Sequence, residues 1–249
     1  MRDLKHIATT CANKVSLAEI TEKPFKYLIV DNFLPRDFAD ECSQAFPGQY
    51  DPVWDRQDDD VEKKLRTTYQ CEFDFPEPIQ DAVRIMNSRI MLEVMSDVLG
   101  IPKLIPDPYF TGGGLNMSLK GGMLDVHVDG NYHDATGLNR RVNAILFLNS
   151  TWDPSWGGSF GVFSDGGTHL YDEVAPTMNR LVIFDTHDKS FHGTPEPINC
   201  PDNVARKSLI LYYYTVAPRE KVTWKKPHSA LWAKKKFTDK RGKTNREYS

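Results

Sequence analysis

The sequence predicts a β-rich α+β protein, with a double-stranded β-helix (jelly-roll) core and supporting N-terminal helices. Three observations carry this reading. From Leu104 onward the helical period gives way to short β-prone runs, separated by turns at Gly112, Gly113 and Gly114, Gly121 and Gly122, Gly157 and Gly158, and Gly166 and Gly167. Helices do not alternate with these runs, which disfavours a parallel α/β sheet. A chain of 249 residues with 40% hydrophobic content is long enough for one sizeable core.

Taken in order, the first twenty residues hold no continuous apolar segment, and nothing approaches the eighteen apolar residues of a membrane span, so a soluble, unexported, cytoplasmic protein is expected. Cys11, Cys42, Cys71 and Cys200 are far apart, without a C-x-x-C pair, as reduced thiols would be. A short strand is predicted over 27–30, then turn signals at Asp31, Asn32 and Pro35. A helix over 35–46 has Phe38, Cys42, Ala45 and Phe46 on one side and stops at Pro47 and Gly48. Residues 50–68 are polar and aperiodic and read as a long surface loop near which substrate is covered. A second helix over 79–99 repeats Ile79, Val83, Met86, Ile90, Val94 and Val98 at helical spacing up to Gly100. Its methionines are core filler.

Three sections follow: 1–103 as helical and β support within the same domain, 104–217 as the core, and 218–249 as a basic tail. Net charge is −3, but the tail holds eleven Lys or Arg against three acids. The remainder has 20 basic and 31 acidic residues. Such a tail can be a solvated surface segment, or can dock on nucleic acid, a ribosome or an acidic protein. Trp224 and Trp232 suggest that it packs at two points.

The chemistry concentrates between 125 and 216. His127 and Asp129 sit two apart in an apolar, β-branched setting, so on a strand both side chains leave one face. His192 follows the apolar run 181–184, where a neighbouring strand would end, and Arg206 opens the last strand, with Lys207 on the opposite face. Two histidines and one carboxylate leave half an octahedral sphere open, as suits Fe(II) enzymes that bind a cosubstrate and O₂ together. Arginine supplies a fixed, permanently charged fork for a carboxylate. His6, His133, His169, His187 and His228 are set aside as lone histidines. For His133, close after Asp129, lining the entrance or orienting substrate without touching metal is the alternative.

In this order and spacing, HVD, then LN and GG, then HG and RKSL resemble the Fe(II)- and 2-oxoglutarate-dependent dioxygenases, most closely the prolyl-4-hydroxylase-like group. The resemblance covers about 104–216 and, more loosely, PFKYLIVDNFLP. It implies Fe(II) held by His127, Asp129 and His192, with 2-oxoglutarate chelating it and resting its far carboxylate on Arg206. O₂ takes the last position, and ascorbate is a further candidate. It also turns Asn143, Ile145 and Phe147 toward the cosubstrate. Relatives often carry tyrosine at Phe147, where phenylalanine has no hydroxyl to give, which leaves Asn143 or one of Tyr212, Tyr213 and Tyr214 as the second donor. With Asp129 present, hydroxylation is implied and halogenation is not.

The expected reaction converts 2-oxoglutarate to succinate and CO₂ while an unactivated C–H is hydroxylated. The resemblance makes a prolyl residue of a protein or peptide the leading substrate. A free amino acid or other small metabolite is the alternative, and a noncatalytic jelly-roll metal-binding or interaction module is the competing class.

Overall fold

The computed structural model describes residues 2–220 and 226–234, which form four α-helices and fifteen strands. Helix α1 (Leu4–Leu17) is capped by Asp3, whose carboxylate accepts from His6 N, and buries Ala8, Cys11, Ala12 and Val15 on one stripe. The polar look of residues 1–20 hides it. Strands β1 (Ile20–Thr21) and β2 (Tyr27–Val30) lead to α2 (Arg36–Gln44), which buries Phe38, Ala39 and Cys42.

Residues 50–68 are not a surface loop. They form the hairpin β3 (Trp54–Asp58) and β4 (Glu62–Thr67), and β4 pairs Leu65 with Met117. Of the buried residues Val61, Glu62, Leu65 and Thr67, just Val61 and Leu65 are apolar, too few for the alternation to show in sequence. Trp54 anchors the hairpin, stacking on Phe46 at 6.0 Å and donating to Gly48 O.

The helix expected over 79–99 is two, α3 (Glu77–Met86) and α4 (Arg89–Leu99). Ser88 is extended and its hydroxyl accepts from Met91 N, so it caps α4 and breaks the run. The apolar repeat continues on both sides of the break, which conceals it.

The remaining strands are β5 (Ile105–Pro106), β6 (Gly114–Ser118), β7 (Met123–Leu124), β8 (His127–Val128) and β9 (Asn139–Phe147). Then come β10 (Phe160–Ser164), β11 (His169–Val174), β12 (Arg180–Asp185), β13 (His192–Gly193), β14 (Arg206–Thr215) and β15 (Leu231–Trp232). The major sheet runs β1-β2-β12-β9-β14-β6-β4-β3, with β5 on β14 and β7 on β4; the minor sheet runs β11-β10-β13-β8-β15. All pairings are antiparallel, giving the expected jelly roll.

Alternation on β9 divides the interior in two. Val142, Ala144 and Leu146 face outward into a core shared with Val15, Phe38, Ile79 and Met91 of the helices. Ile145 and Phe147 face inward with Phe160, Val162, Val182 and Phe184, between the sheets. All four cysteines are free, and three are buried. Among the described residues no helix is long and apolar enough to cross a membrane.

Of the basic tail, Trp224 and most of the lysines lie outside the described residues. The described part does not stand apart: β15 is the outer strand of the minor sheet, so the charge boundary at 218 does not bound the fold.

Candidate metal centre

His127 and His192 stand directly opposite each other on β8 and β13, with ring centroids 4.4 Å apart. Asp129, two residues beyond His127, leaves the same face. Each imidazole is oriented by a backbone carbonyl: His127 Nδ1 lies 2.9 Å from Asp125 O and His192 Nδ1 lies 2.9 Å from Ser190 O. A carbonyl only accepts, so the proton sits on Nδ1 and the Nε2 lone pair is left free. Those Nε2 atoms lie 3.6 and 3.8 Å from Asp129 Oδ1. One ligand atom from each of the three residues falls within 4.8 Å of the others, and all three residues are buried.

Electrostatics suit a cation. Burial, reinforced by His127, pushes His192 down to about 4, so it is a neutral ligand at neutral pH. Burial works against ionised Asp129, but the neighbouring His192 and His127 and the charge of Arg140 together hold it well below the usual carboxylate range. Two imidazoles and a carboxylate on one side of a cavity are a donor set that fits Fe(II) with coordination positions to spare.

Asn143 Nδ2 donates to Asp129 Oδ2 at 3.1 Å, while its buried Oδ1 has no hydrogen-bond partner among the described residues. The residue expected at the cosubstrate thus lines the same cavity but commits its amide to orienting the carboxylate ligand.

Arg206 opens β14 opposite Ser118, and its Nε donates to Gly158 O at 2.6 Å. Gly158 has φ +75°, and a Cβ there would come within 3.2 Å of Arg206 Cδ, so glycine admits the arginine stem. Burial pushes the guanidinium down to about 10, and among the described residues no carboxylate neutralises it. It shares the cavity of the three candidate ligands. Lys207 faces away, over the Phe46 ring.

Neither expected substitute for the missing tyrosine hydroxyl stands beside Arg206. Tyr213 donates to Met86 O on the helix side, and Tyr214 accepts from Arg140. Tyr212 lies under the Arg140 guanidinium, 3.9 Å from it. Phe147 instead offers its ring, 4.8 Å from the Arg206 guanidinium, and the hydroxyl-bearing residues lining this cavity are Ser118, Thr194 and, under Arg140, Tyr212.

Beyond the cavity an open cleft of about 530 Å³ runs over His127 and Asp129. One side is the β3–β4 hairpin with Gln57, Lys64 and Arg66, and the other is the C-terminal segment with His228 and Trp232. Arg140 lines it too, held by Tyr214 and Tyr212. Sequence reasoning missed Arg140, which reads as a surface charge at a strand start. Its inward aim depends on a bulge: Tyr213 pairs with Val142 but Tyr214 pairs with Arg140, so Arg141 is the extra residue. His228, set aside as a lone histidine, also reaches this cleft. His133 does not line the entrance. Its Nδ1 accepts from Ala135 N and Thr136 N, and its Nε2 donates to Asp107 at 3.0 Å in a buried pair that fixes the following loop.

The fold and donor set are similar to those of iron-dependent oxygenases, as comparison with known proteins shows. Residues 113–214 match the sequence model of the 2OG-Fe(II) oxygenase superfamily. Over 87 residues the chain is 30% identical to prolyl 3-hydroxylase OGFOD1 of Mus musculus, a match that takes in 33% of this chain and 15% of that protein. A prolyl-4-hydroxylase of Pseudomonas putida has a similar structure, with TM-score 0.56, 16% identity, and coverage of 84% of this chain and 98% of the other. So does a Trichoplax adhaerens prolyl hydroxylase solved with a hypoxia inducible factor oxygen degradation domain peptide fragment, with TM-score 0.59, 15% identity, and coverage of 85% and 90%. Residues 113–214 thus resemble the 2OG-Fe(II) oxygenase superfamily, and the chain around them has the prolyl-4-hydroxylase-like fold. Fe(II), 2-oxoglutarate and O₂ are the cofactor and cosubstrates of that superfamily.

Proposed function

We propose that this protein is a Fe(II)- and 2-oxoglutarate-dependent dioxygenase that hydroxylates a prolyl residue of a protein or peptide, releasing succinate and CO₂. The observation that carries the reading is the pairing of two features in one cavity. His127, Asp129 and His192 turn their ligand atoms on one point, and Arg206 is a cation with no carboxylate of the described chain against it. In this reading the three ligands hold the iron, Asn143 holds Asp129, and Arg206 grips the far carboxylate of 2-oxoglutarate through paired hydrogen bonds. Bound iron with 2-oxoglutarate supplies the O₂ activation that no side chain can. The chain's own work is to bind, orient and exclude water. Phe147, Ile145 and Phe160 make the cosubstrate end apolar, so the charged pair with Arg206 forms away from water.

Two features support a peptide over a small metabolite. The cleft over the iron site is open and long enough to be walled by two separate chain segments, and Arg140 on its floor is a fixed donor for a backbone carbonyl. The prolyl hydroxylases among the similar proteins point the same way. The test is to incubate the protein with Fe(II), 2-oxoglutarate and a library of proline-containing peptides, then measure succinate and +16 Da products. Succinate matched by +16 Da on proline, absent in His127→Ala, supports the proposal. Succinate driven only by free amino acids moves the substrate to the metabolite class, and no succinate with any substrate pool overturns the enzymatic reading.

A further inference from the structure

We propose that the C-terminal segment 226–234 is a built wall of the active site and that Trp232 in it is a positioning residue for the iron ligand His127. The inference rests on the reading of His127, Asp129 and His192 as the metal site. It starts from the pairing of β8. His127 has His192 opposite it on one side and Trp232 opposite it on the other, with Leu231 opposite Val128. Without β15, the two-residue ligand strand would be the edge of the minor sheet, with its outward N–H and C=O groups open to competition from water.

The segment is fastened along its length. Asn131, two residues after the ligand Asp129, clasps it from both directions: Nδ2 donates to Lys226 O and Oδ1 accepts from His228 N. Farther on, Ala233 N donates to Val126 O, and Lys234 Nζ donates to Asp60 O at the tip of the β3–β4 hairpin. Gly130 makes the close passage possible, because a Cβ there would lie 2.9 Å from His228 O. Leu231 fills a small apolar cluster with Val128, Phe163 and Phe191.

The consequence for His127 is geometric. Its Nδ1 bond to Asp125 O fixes one edge of the imidazole but leaves the ring free to rock about that bond. The Trp232 indole, 3% exposed, lies against the imidazole face at 4.7 Å between centroids and 32° between planes, and takes that freedom away. Nε2 is thereby held toward Asp129 Oδ1. Ser229, Ala230 and Trp232 also face the cleft, so the same segment shapes the space that substrate enters. A stretch that reads in sequence as a charged tail is, in its described part, active-site structure.

Co(II) is the probe, titrated into the full chain while its visible d–d bands report binding and tryptophan emission reports distance. The account predicts that Co(II) quenches the wild type strongly and that Trp232→Phe, which keeps an aromatic face, still binds Co(II) within about threefold but loses most of the quenching. Trp232→Ala weakens Co(II) about tenfold, the scale of lost support around a metal ligand, and Trp232→Phe rescues it. Undiminished quenching in Trp232→Phe, or wild-type affinity in Trp232→Ala, overturns the role of Trp232. Absent d–d bands in the wild type would instead overturn the metal-site reading on which it stands.

Discussion

In the major sheet, β9 and β14, nine and ten residues long, lie side by side and bury one face under the helices, whereas the minor-sheet strands that carry His127 and His192, β8 and β13, are two residues each. The long ladder delivers Arg206 and Asn143 from a surface that is difficult to deform. The short strands place His127 and His192 by other means: one cross-strand pair, two backbone carbonyls and the flanking indole of Trp232. On the proposed reading, stability therefore resides largely in one sheet and metal geometry in the other, and the site forms where they face each other.

The first way to break this division is to damage each side and read both properties. Leu146→Ala, deep in the helix-facing core, should cost about 3–4 kcal/mol of stability and leave Fe(II) affinity nearly unchanged, as measured by denaturant melts and metal titration. The converse, His127→Ala, should lose at least about 100-fold in Fe(II) affinity, more than a supporting residue costs, with little change in the melt. If both variants move both properties together, the two sheets are not separable.

A pH series on the metal-free protein sharpens the minor-sheet side. His192 is held down to about 4, whereas an unfolded histidine titrates near 6.5. Between those values the unfolded chain binds the extra proton, so stability falls as pH is lowered through that window and this group adds no slope above it. The expected loss between pH 7 and pH 4 is on the order of 2 kcal/mol, and a His192→Gln variant should lack it. An identical slope in both proteins would locate the titration elsewhere.

Asn143→Ala crosses the boundary, since a major-sheet residue there supports a ligand beside the minor sheet. It should weaken Fe(II) about tenfold, with 2-oxoglutarate affinity at saturating metal nearly unchanged. The smallest effect is expected for Tyr213→Phe, which removes one buried hydrogen bond to Met86 O. It should cost about 1 kcal/mol of stability and leave turnover alone.

What was legible in the sequence follows the same division. His127 and Asp129 announce themselves because a two-residue spacing on a strand has one geometric meaning, and Arg206 because it opens a long apolar run. The jelly roll was readable from strand-length runs between glycine turns. Features made by exceptions to a period were not. Ser88 caps a helix inside an unbroken apolar repeat, the bulge at Arg141 turns Arg140 inward without any compositional mark, and the β3–β4 hairpin buries too few apolar residues to alternate visibly. Trp232 stood out in the basic run as a packing point, but its partner His127 could not be read, because that contact exists only once β15 is paired with β8. Phe147, which breaks the family pattern, was visible as a departure, but its ring contact with Arg206 could only be seen once β9 and β14 were paired.

The most direct measurement is anaerobic titration of the metal-free protein with Fe(II) and 2-oxoglutarate, following the visible metal-to-ligand charge-transfer band in wild type and Arg206→Ala. The account predicts a band in the wild type. In Arg206→Ala the band should need far more 2-oxoglutarate, by roughly 30-fold or more, the lower end of what losing one partner of a buried charge pair costs. A wild type that binds Fe(II) but gives no band at any 2-oxoglutarate concentration would contradict it, as would a band that Arg206→Ala leaves unmoved.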